Sequence, residues 1–271
     1  MIENNASLNE ELKLSVSKCK SYSMCPAQYR FNYILKLPQK EKDYFTFGKF
    51  IHLALEWFHQ QYIDGCLLPY HITLNDAFKV SWKKYGEKMT PEMKDECWKI
   101  LDQYLKLVSK DKHNGHPFNI IAVEKQFNYQ LTDDVILRGA IDVIKLDDDG
   151  VLHVADWKSS KSKKYLENDW IQLLSYCFIL LQENPELTKI RGSYVMMRHG
   201  FEYLTKEFQV DEILEMRQKY IDYAQQIRTE KDFIATPNNL CNWCSYLDIC
   251  APGKTKVGTY NSQNVFGEVN W

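Results

Sequence analysis

In VLHVADWKSS, residues 151–160, an acid and a base stand where a buried strand ought to carry only apolar side chains. Leu152, Val154 and Ala155 have the character of a strand entering a core, and the run then reaches Asp156 and Lys158. Side chains two positions apart share one face of a strand, so Leu152, Val154, Asp156 and Lys158 point the same way. The preceding stretch, VILRGAIDVIKL at 135–146, has a matching series in Ala140, Asp142, Ile144 and Leu146. A connection with an odd number of residues, such as a three-residue turn over Asp148 to Gly150, sets Ile144 opposite Val154 and Leu146 opposite Leu152. The same register sets Asp142 opposite Asp156.

Directly opposed residues hold their Cβ atoms about 4.5–5.5 Å apart, and two half-buried carboxylates at that distance repel each other strongly. A divalent cation with oxygen ligands relieves the repulsion, and Mg²⁺ or Mn²⁺ suits a pair of aspartates with water completing the shell. Lys158 beside such a site can stabilise developing negative charge or orient an attacking water. An exposed ion pair accounts for one acid and one lysine. It does not account for two acids flanked by apolar residues on one face.

Helical stretches offer companions to this pair. His52 and Glu56 lie four apart within 46–64, and Gln172 and Tyr176 lie four apart within 169–182, each pair on one helix face. Taken singly, neither pair is specific, because a histidine on an apolar helix is more often a core residue. Glu124, on the first strand, faces either the site or solvent. Lys158, Lys161, Lys163 and Lys164 form a basic run that suits a solvated loop or a phosphate backbone.

Around these motifs the period changes once. Helical patterns at 17–35 (broken at Cys25-Pro26), 46–64, 73–86 and 92–109 give way at Ile120 to three strands in series. A helix follows, opened by Asn168 or Asp169 as cap, then a strand, a tight turn at His199-Gly200, another strand and a last helix over 211–229. The fold class expected is α/β, a mixed sheet flanked by helices. At 271 residues, 45% hydrophobic and 26% charged, the chain can bury a full core. One domain is expected over 1–253, with a helical insert at about 66–118, and a loosely held tail over 254–271. No apolar run is long enough to span a bilayer and the start has no signal-peptide pattern, so an intracellular, cytoplasmic protein with no membrane partner is expected. The net charge of −2 argues against nonspecific coating of nucleic acid but allows a local basic groove.

Of eight cysteines, three crowd into CNWCSYLDIC as Cys241, Cys244 and Cys250, within the segment 236–253. A tetrahedral thiolate site needs a fourth ligand, and Cys25, at the break before Pro26, is the best donor, ahead of Cys19. Four thiolates fit either structural zinc or a [4Fe-4S] cluster.

Together these elements resemble the RecB-like branch of the PD-(D/E)XK nucleases with an iron-sulfur cluster, a branch that includes the AddB nuclease domain and CRISPR-associated RecB-like exonucleases. GKFIH supplies a metal-binding histidine, His52; GAID supplies Asp142; DWK supplies Asp156 and Lys158; QLLSY supplies Gln172 and Tyr176. The resemblance spans residues 17–253 and implies the restriction-endonuclease-like core, with a [4Fe-4S] cluster on Cys25, Cys241, Cys244 and Cys250. It implies Mg²⁺ or Mn²⁺ on His52, Asp142 and Asp156, with Lys158, Gln172 and Tyr176 completing the catalytic set. Many superfamily members have glutamate before the lysine, whereas this branch commonly has aspartate, as here. The implied activity is a DNA nuclease, an exonuclease working from ends or on single strands. A helicase, a recombinase or a CRISPR integration protein is the kind of partner implied. The rival is a noncatalytic DNA- or partner-binding protein that keeps the fold as a scaffold.

Overall fold

The change of period at Ile120 is where helices give way to sheet. The structure, a computed structural model, describes residues 11–39, 43–111 and 117–263. In chain order it has β1 (Leu12–Leu14), α1 (Val16–Met24), α2 (Pro26–Tyr29), α3 (Asp43–Ile63), α4 (Tyr70–Tyr85) and α5 (Pro91–Val108). Then come β2 (Ile120–Thr132), β3 (Val135–Leu146), β4 (Leu152–Lys158), α6 (Ile171–Glu183), β5 (Lys189–Met196), β6 (Glu202–Gln209), α7 (Val210–Thr229) and α8 (Ala251–Gln263). The backbone forms two compact units. One holds Met1–Glu41, Gln130–Leu137 and Tyr220–Trp271, the other Lys42–Tyr129 and Arg138–Lys219.

In the second unit α3 shows why a helix forms and which face it buries. Phe47, Phe50, Ile51, Ala54, Leu55, Phe58, His59 and Tyr62 are buried, a stripe at the three- and four-residue spacing of an amphipathic helix. They pack with residues of α4 and α5 and with Val143, Ala155, Trp157 and Val195 from the sheet. Replacing one of the fully buried phenylalanines by alanine costs about 3–5 kcal/mol. His59 lies inside this stripe and its Nε2 meets the Tyr104 hydroxyl, so it is a core histidine; burial pulls its pKa down to about 3. His52 lies just off the stripe and is partly buried.

The sheet of this unit runs in the order β3, β4, β5, β6, with β2 against β3. β3 and β4 are antiparallel, with Ile144 opposite Val154 and Leu146 opposite Leu152. Their connection has Asp147 N–H bonded to the Val151 carbonyl at 3.0 Å around a turn ending in Gly150, whose φ of +79° favours glycine. β4 and β5 are parallel, joined through α6, and β5 and β6 are antiparallel. Odd residues of β4, Ala155 and Trp157, face the α3–α5 core, which leaves Val154, Asp156 and Lys158 on the opposite face. Three local expectations are corrected. α6 starts at Ile171 with Trp170 in the cap position, and Asp169 Oδ1 accepts from the Ile171 N–H at 3.4 Å. The β5–β6 link is longer than a tight turn, a 3₁₀ turn at Met197–His199 followed by Gly200. β1, too short for a period to show, was not expected at all.

In the first unit β1 runs parallel to Val135–Leu137, the opening residues of β3, and the Leu12 N–H donates to the Asp134 carbonyl at 2.8 Å. Ser15 caps α1 by accepting from the Lys18 N–H, and the helix stops at Cys25, whose successor Pro26 begins α2. Tyr22, Tyr29 and Phe233 form a ring cluster, with Tyr29 stacked on Phe233 at 6.2 Å. Residues 254–263 of the expected tail are helical as part of α8, and 264–271 lie outside the described residues. Among the described residues no helix is long and apolar enough to cross a membrane.

Gly192 on β5 lets α6 approach the sheet. A Cβ there would stand 2.7 Å from Phe208 Cε2 and 3.2 Å from Leu173 Cβ. Gly192→Ala is expected to lower unfolding free energy by about 1–3 kcal/mol through overpacking. Urea denaturation followed by circular dichroism checks this.

Candidate active site

The ladder between β3 and β4 ends at the pair Val143–Ala155, and Asp142 and Asp156 are the next residue of each strand. Both are buried, at 8% and 2% exposure. Asp142 Oδ2 accepts the Trp157 N–H at 3.1 Å, a hydrogen bond that holds its carboxylate over the strand beside it. Lys158 Nζ lies 2.5 Å from Asp156 Oδ2 and donates to Gln172 Oε1 at 2.9 Å. Gln172 Nε2 donates to Asp156 Oδ1 at 2.6 Å and to the Tyr176 hydroxyl at 2.9 Å. One turn of α6 therefore carries a carboxamide that grips the acid and the lysine together. The Lys158 ammonium also sits over the Tyr194 ring, 5.2 Å from its centre.

From α3, His52 reaches the same place. Its Nδ1 is 3.5 Å from Asp142 Oδ2, and its ring meets Trp157 edge to face at 6.0 Å. Glu124 completes the group: ligand atoms of His52, Glu124 and Asp142 all lie within 4.8 Å of one another. Sequence reasoning left Glu124 open between site and solvent, and its backbone shows why. Glu124 has φ +47° in the middle of β2, a left-handed residue of the kind that marks a β-bulge. Ile120 and Val123 before it and Phe127 and Leu131 after it are buried, so the strict two-residue alternation fails ahead of Glu124. IIAVEKQFNYQL has four apolar residues in a row before Glu124 and shows no period there, so the sequence carries no signal of which way Glu124 points. Glu56, one turn beyond His52, acts electrostatically on Glu124, and burial raises its own pKa.

The electrostatics are those of crowded acids. Burial pushes Asp142 well above the usual carboxylate range, and the charges of Asp156 and Glu124 push it further. Glu124 is raised by burial and then by Glu56 and Asp156. Burial lowers His52, opposed by Asp156, which favours the neutral imidazole that a metal needs. Burial works against the Lys158 charge, but Asp156 and Asp142 outweigh it and the pKa ends above the ordinary lysine value. Lys158 is therefore a cation at neutral pH. One imidazole nitrogen and hard carboxylate oxygens, repelling each other until a cation joins them, are a donor set that fits Mg²⁺ or Mn²⁺.

The other unit brings the cysteines together. Cys25, Cys241, Cys244 and Cys250 line one pocket, with Phe31 and Leu247 among its walls. Each sulfur accepts a backbone N–H: Thr236 to Cys25 at 3.4 Å, Asn238 to Cys241 at 3.3 Å, Tyr246 to Cys244 at 3.4 Å and Gly253 to Cys250 at 3.4 Å. The thiol of Cys244 is raised by burial and, further down, by the other three. Four cysteines around one pocket, each sulfur accepting an amide N–H, are a donor set that suits thiolates on a metal centre, where N–H···S bonds tune the site. Cys19, the runner-up ligand, is fully buried in the core, with a pKa raised to about 12 by burial.

Over residues 13–251 the sequence matches the PD-(D/E)XK nuclease superfamily. Among solved structures, a Eubacterium rectale protein described as "Putative exonuclease" shares the fold at 13% identity, with a TM-score of 0.50 over 84% of this chain and 86% of that one. The structure named SSO0001 aligns over 92% of this chain and 90% of its own at 16% identity, with a TM-score of 0.45. Among curated proteins none matches the chain.

The raised pKa of Asp142 and Glu124 has a sign. In the metal-free protein, groups held above their unfolded value stabilise the fold below about pH 4. That contribution is lost as pH climbs through the raised values, when both must ionise against each other. Asp142→Asn removes one of the repelling charges. The variant is expected to melt higher than wild type at neutral pH with EDTA present, and to lose the rise in melting temperature that Mn²⁺ gives wild type. Thermal denaturation at pH 5 and pH 8, with and without Mn²⁺, checks both.

Proposed function

The chain belongs to the PD-(D/E)XK nuclease superfamily, and from that premise we propose that it is a metal-dependent deoxyribonuclease, an exonuclease acting from DNA ends or on single strands. The observation that carries this reading is the pair of buried, opposed acids with an intact lysine. A protein that only binds DNA has no use for carboxylates forced into one another's field.

His52, Glu124, Asp142 and Asp156 are the residues that would hold Mg²⁺ or Mn²⁺. When bound there, the ion polarises the scissile phosphate and lowers the pKa of a coordinated water. Lys158, kept protonated by Asp156, places a fixed positive charge where the phosphate gains negative charge. A protonated lysine cannot take a proton from water, so its part is electrostatic stabilisation and orientation. Gln172 keeps that ammonium from swinging, because its carboxamide is held at one end by Lys158 and at the other by Asp156 and Tyr176. Tyr176 keeps its proton, being raised well above the phenol range by burial and by Asp156, and serves as a hydrogen-bonding brace.

The cysteine site is read as a [4Fe-4S] centre on Cys25, Cys241, Cys244 and Cys250, structural in role. What supports this is the set of four sulfurs in one pocket, each with its own amide donor, in a chain of this superfamily. Its effect is to tie α1–α2 to the segment 236–253 inside one unit. A helicase, a recombinase or a CRISPR integration protein is the kind of partner such a nuclease would serve.

The test is cleavage of end-labelled linear and circular DNA, single- and double-stranded, with Mg²⁺ or Mn²⁺. Wild type is expected to degrade linear substrates and spare circles, and Lys158→Ala to lose at least about a hundredfold in rate. Folded, metal-supplied protein that binds DNA and cleaves none of it would replace this reading with the noncatalytic scaffold. For the cysteine site, anaerobically purified protein is expected to be brown and to contain iron and sulfide, both lost with part of the thermal stability in Cys250→Ala. Colourless protein with zinc would overturn the cluster.

A further inference from the structure

Lys158 leads directly into a loop, residues 159–170, that holds an aromatic ring out in solvent beside the site. Tyr165 is 56% exposed while its neighbour Leu166 is 2% exposed. A single exposed tyrosine is ordinary on a protein surface. This one is held in place by the backbone around it. The Leu166 N–H donates to the Lys163 carbonyl at 2.9 Å and the Asp169 N–H to the Leu166 carbonyl at 3.2 Å, so Tyr165 rides on a turn plugged into the fold by Leu166. The Asp169 carbonyl accepts the Tyr194 hydroxyl at 2.7 Å, and it is the Tyr194 ring that lies under the Lys158 ammonium. The turn that presents Tyr165 is thus two contacts away from the catalytic lysine. The two side chains are also within electrostatic reach of each other.

The start of the loop is fixed as firmly. Arg198 donates to the Ser159 carbonyl at 2.7 Å, and it is itself gripped by Glu96 through two hydrogen bonds and laid over the Phe47 ring at 3.9 Å. His199 Nε2 meets the Lys161 carbonyl at 2.9 Å, and Lys163 pairs with Glu202 at 2.6 Å. Lys161 and Lys164 remain exposed on either side of this anchor. A pre-shaped loop with exposed lysines and one outward ring next to a phosphodiester site has the two parts by which proteins hold unpaired strands, cations for the backbone and an aromatic face for a base.

Resting on the nuclease reading of the site, we propose that Tyr165 stacks on an unpaired base next to the scissile phosphate, making single-stranded DNA the substrate that the 159–170 loop selects. In duplex DNA that base face is occupied by its stacked neighbours, so the ring gains a partner only where the strand is unpaired. The lysines serve any DNA, whereas the ring distinguishes strand from duplex.

The experiment measures the Kd of a fluorescein-labelled oligothymidylate in Ca²⁺, so that binding is read without cleavage, and repeats it with an oligomer whose bases are replaced by abasic residues. Wild type is expected to lose about tenfold or more in affinity on the abasic strand. Tyr165→Ala is expected to show that loss already on oligothymidylate and little further loss on the abasic strand, and Tyr165→Phe to bind like wild type. Losses that simply add in Tyr165→Ala, or a Tyr165→Ala affinity equal to wild type, would overturn the proposal while leaving the nuclease reading standing if wild type cleaves. Failure of wild type to bind any DNA strand would overturn both.

Discussion

Asp142 and Asp156 stand on neighbouring antiparallel strands, each next to the Val143–Ala155 pair that ends the ladder, and both are so buried that each feels the other's charge. Everything near them answers that repulsion. Asp142 takes the Trp157 N–H. Asp156 takes the Lys158 ammonium and the Gln172 carboxamide. His52 and Glu124 close in from α3 and from a bulge in β2. An uncompensated buried charge costs several kcal/mol, so without metal Asp142 and Glu124 hold their protons more tightly, and a bound cation offsets the charge when they give them up. The sheet supplies the rigidity. β4 is flanked by β3 and β5, and α6 packs on β4 and β5, so the acids cannot separate without breaking the sheet.

Much of this geometry is legible in the sequence because a strand has a period of two. The apolar pairs Ile144–Val154 and Leu146–Leu152 fix the register of β3 against β4, and that register brings Asp142 and Asp156 to the same end of the ladder. The helix α6 is equally plain from its apolar run, and a four-residue step puts Gln172 beside Tyr176. What the sequence hides is whatever depends on irregular backbone. Glu124 enters the site through a left-handed residue that no propensity signals. The two histidines of α3 invite confusion, since both lie on an apolar helix. Only the full stripe from Phe47 to Tyr62 shows that His59 falls within the core and His52 beside it. The partners that fix the lysine loop, Arg198 and Glu96, come from β5's end and from α5, far apart in the chain and without a shared motif. The short β1 is invisible because three residues cannot display a period.

The two sites draw on different physics. The carboxylates depend on sheet register and would survive changes in loop sequence. The cysteines depend on turns, since the backbone amides of Asn238, Tyr246 and Gly253 point at sulfurs two or three residues away. Turns of that kind are fixed by what they bind as much as by their own propensity, so under the proposed cluster reading that segment holds its shape through the bound centre. The acid pair is shaped in advance by the fold and waits for its ion.

The most direct measurement is a calorimetric titration of the metal-free protein with Mn²⁺ near about pH 6, in two buffers of different ionisation enthalpy. If buried, mutually repelling carboxylates form the metal site, binding will release protons, because Asp142 and Glu124 hold theirs above the usual range until the cation displaces them. The heats in the two buffers will then differ, and Asp142→Asn will bind Mn²⁺ far more weakly. Identical heats in both buffers together with unchanged affinity in Asp142→Asn would contradict the account, because the ion would then be bound without the acid pair.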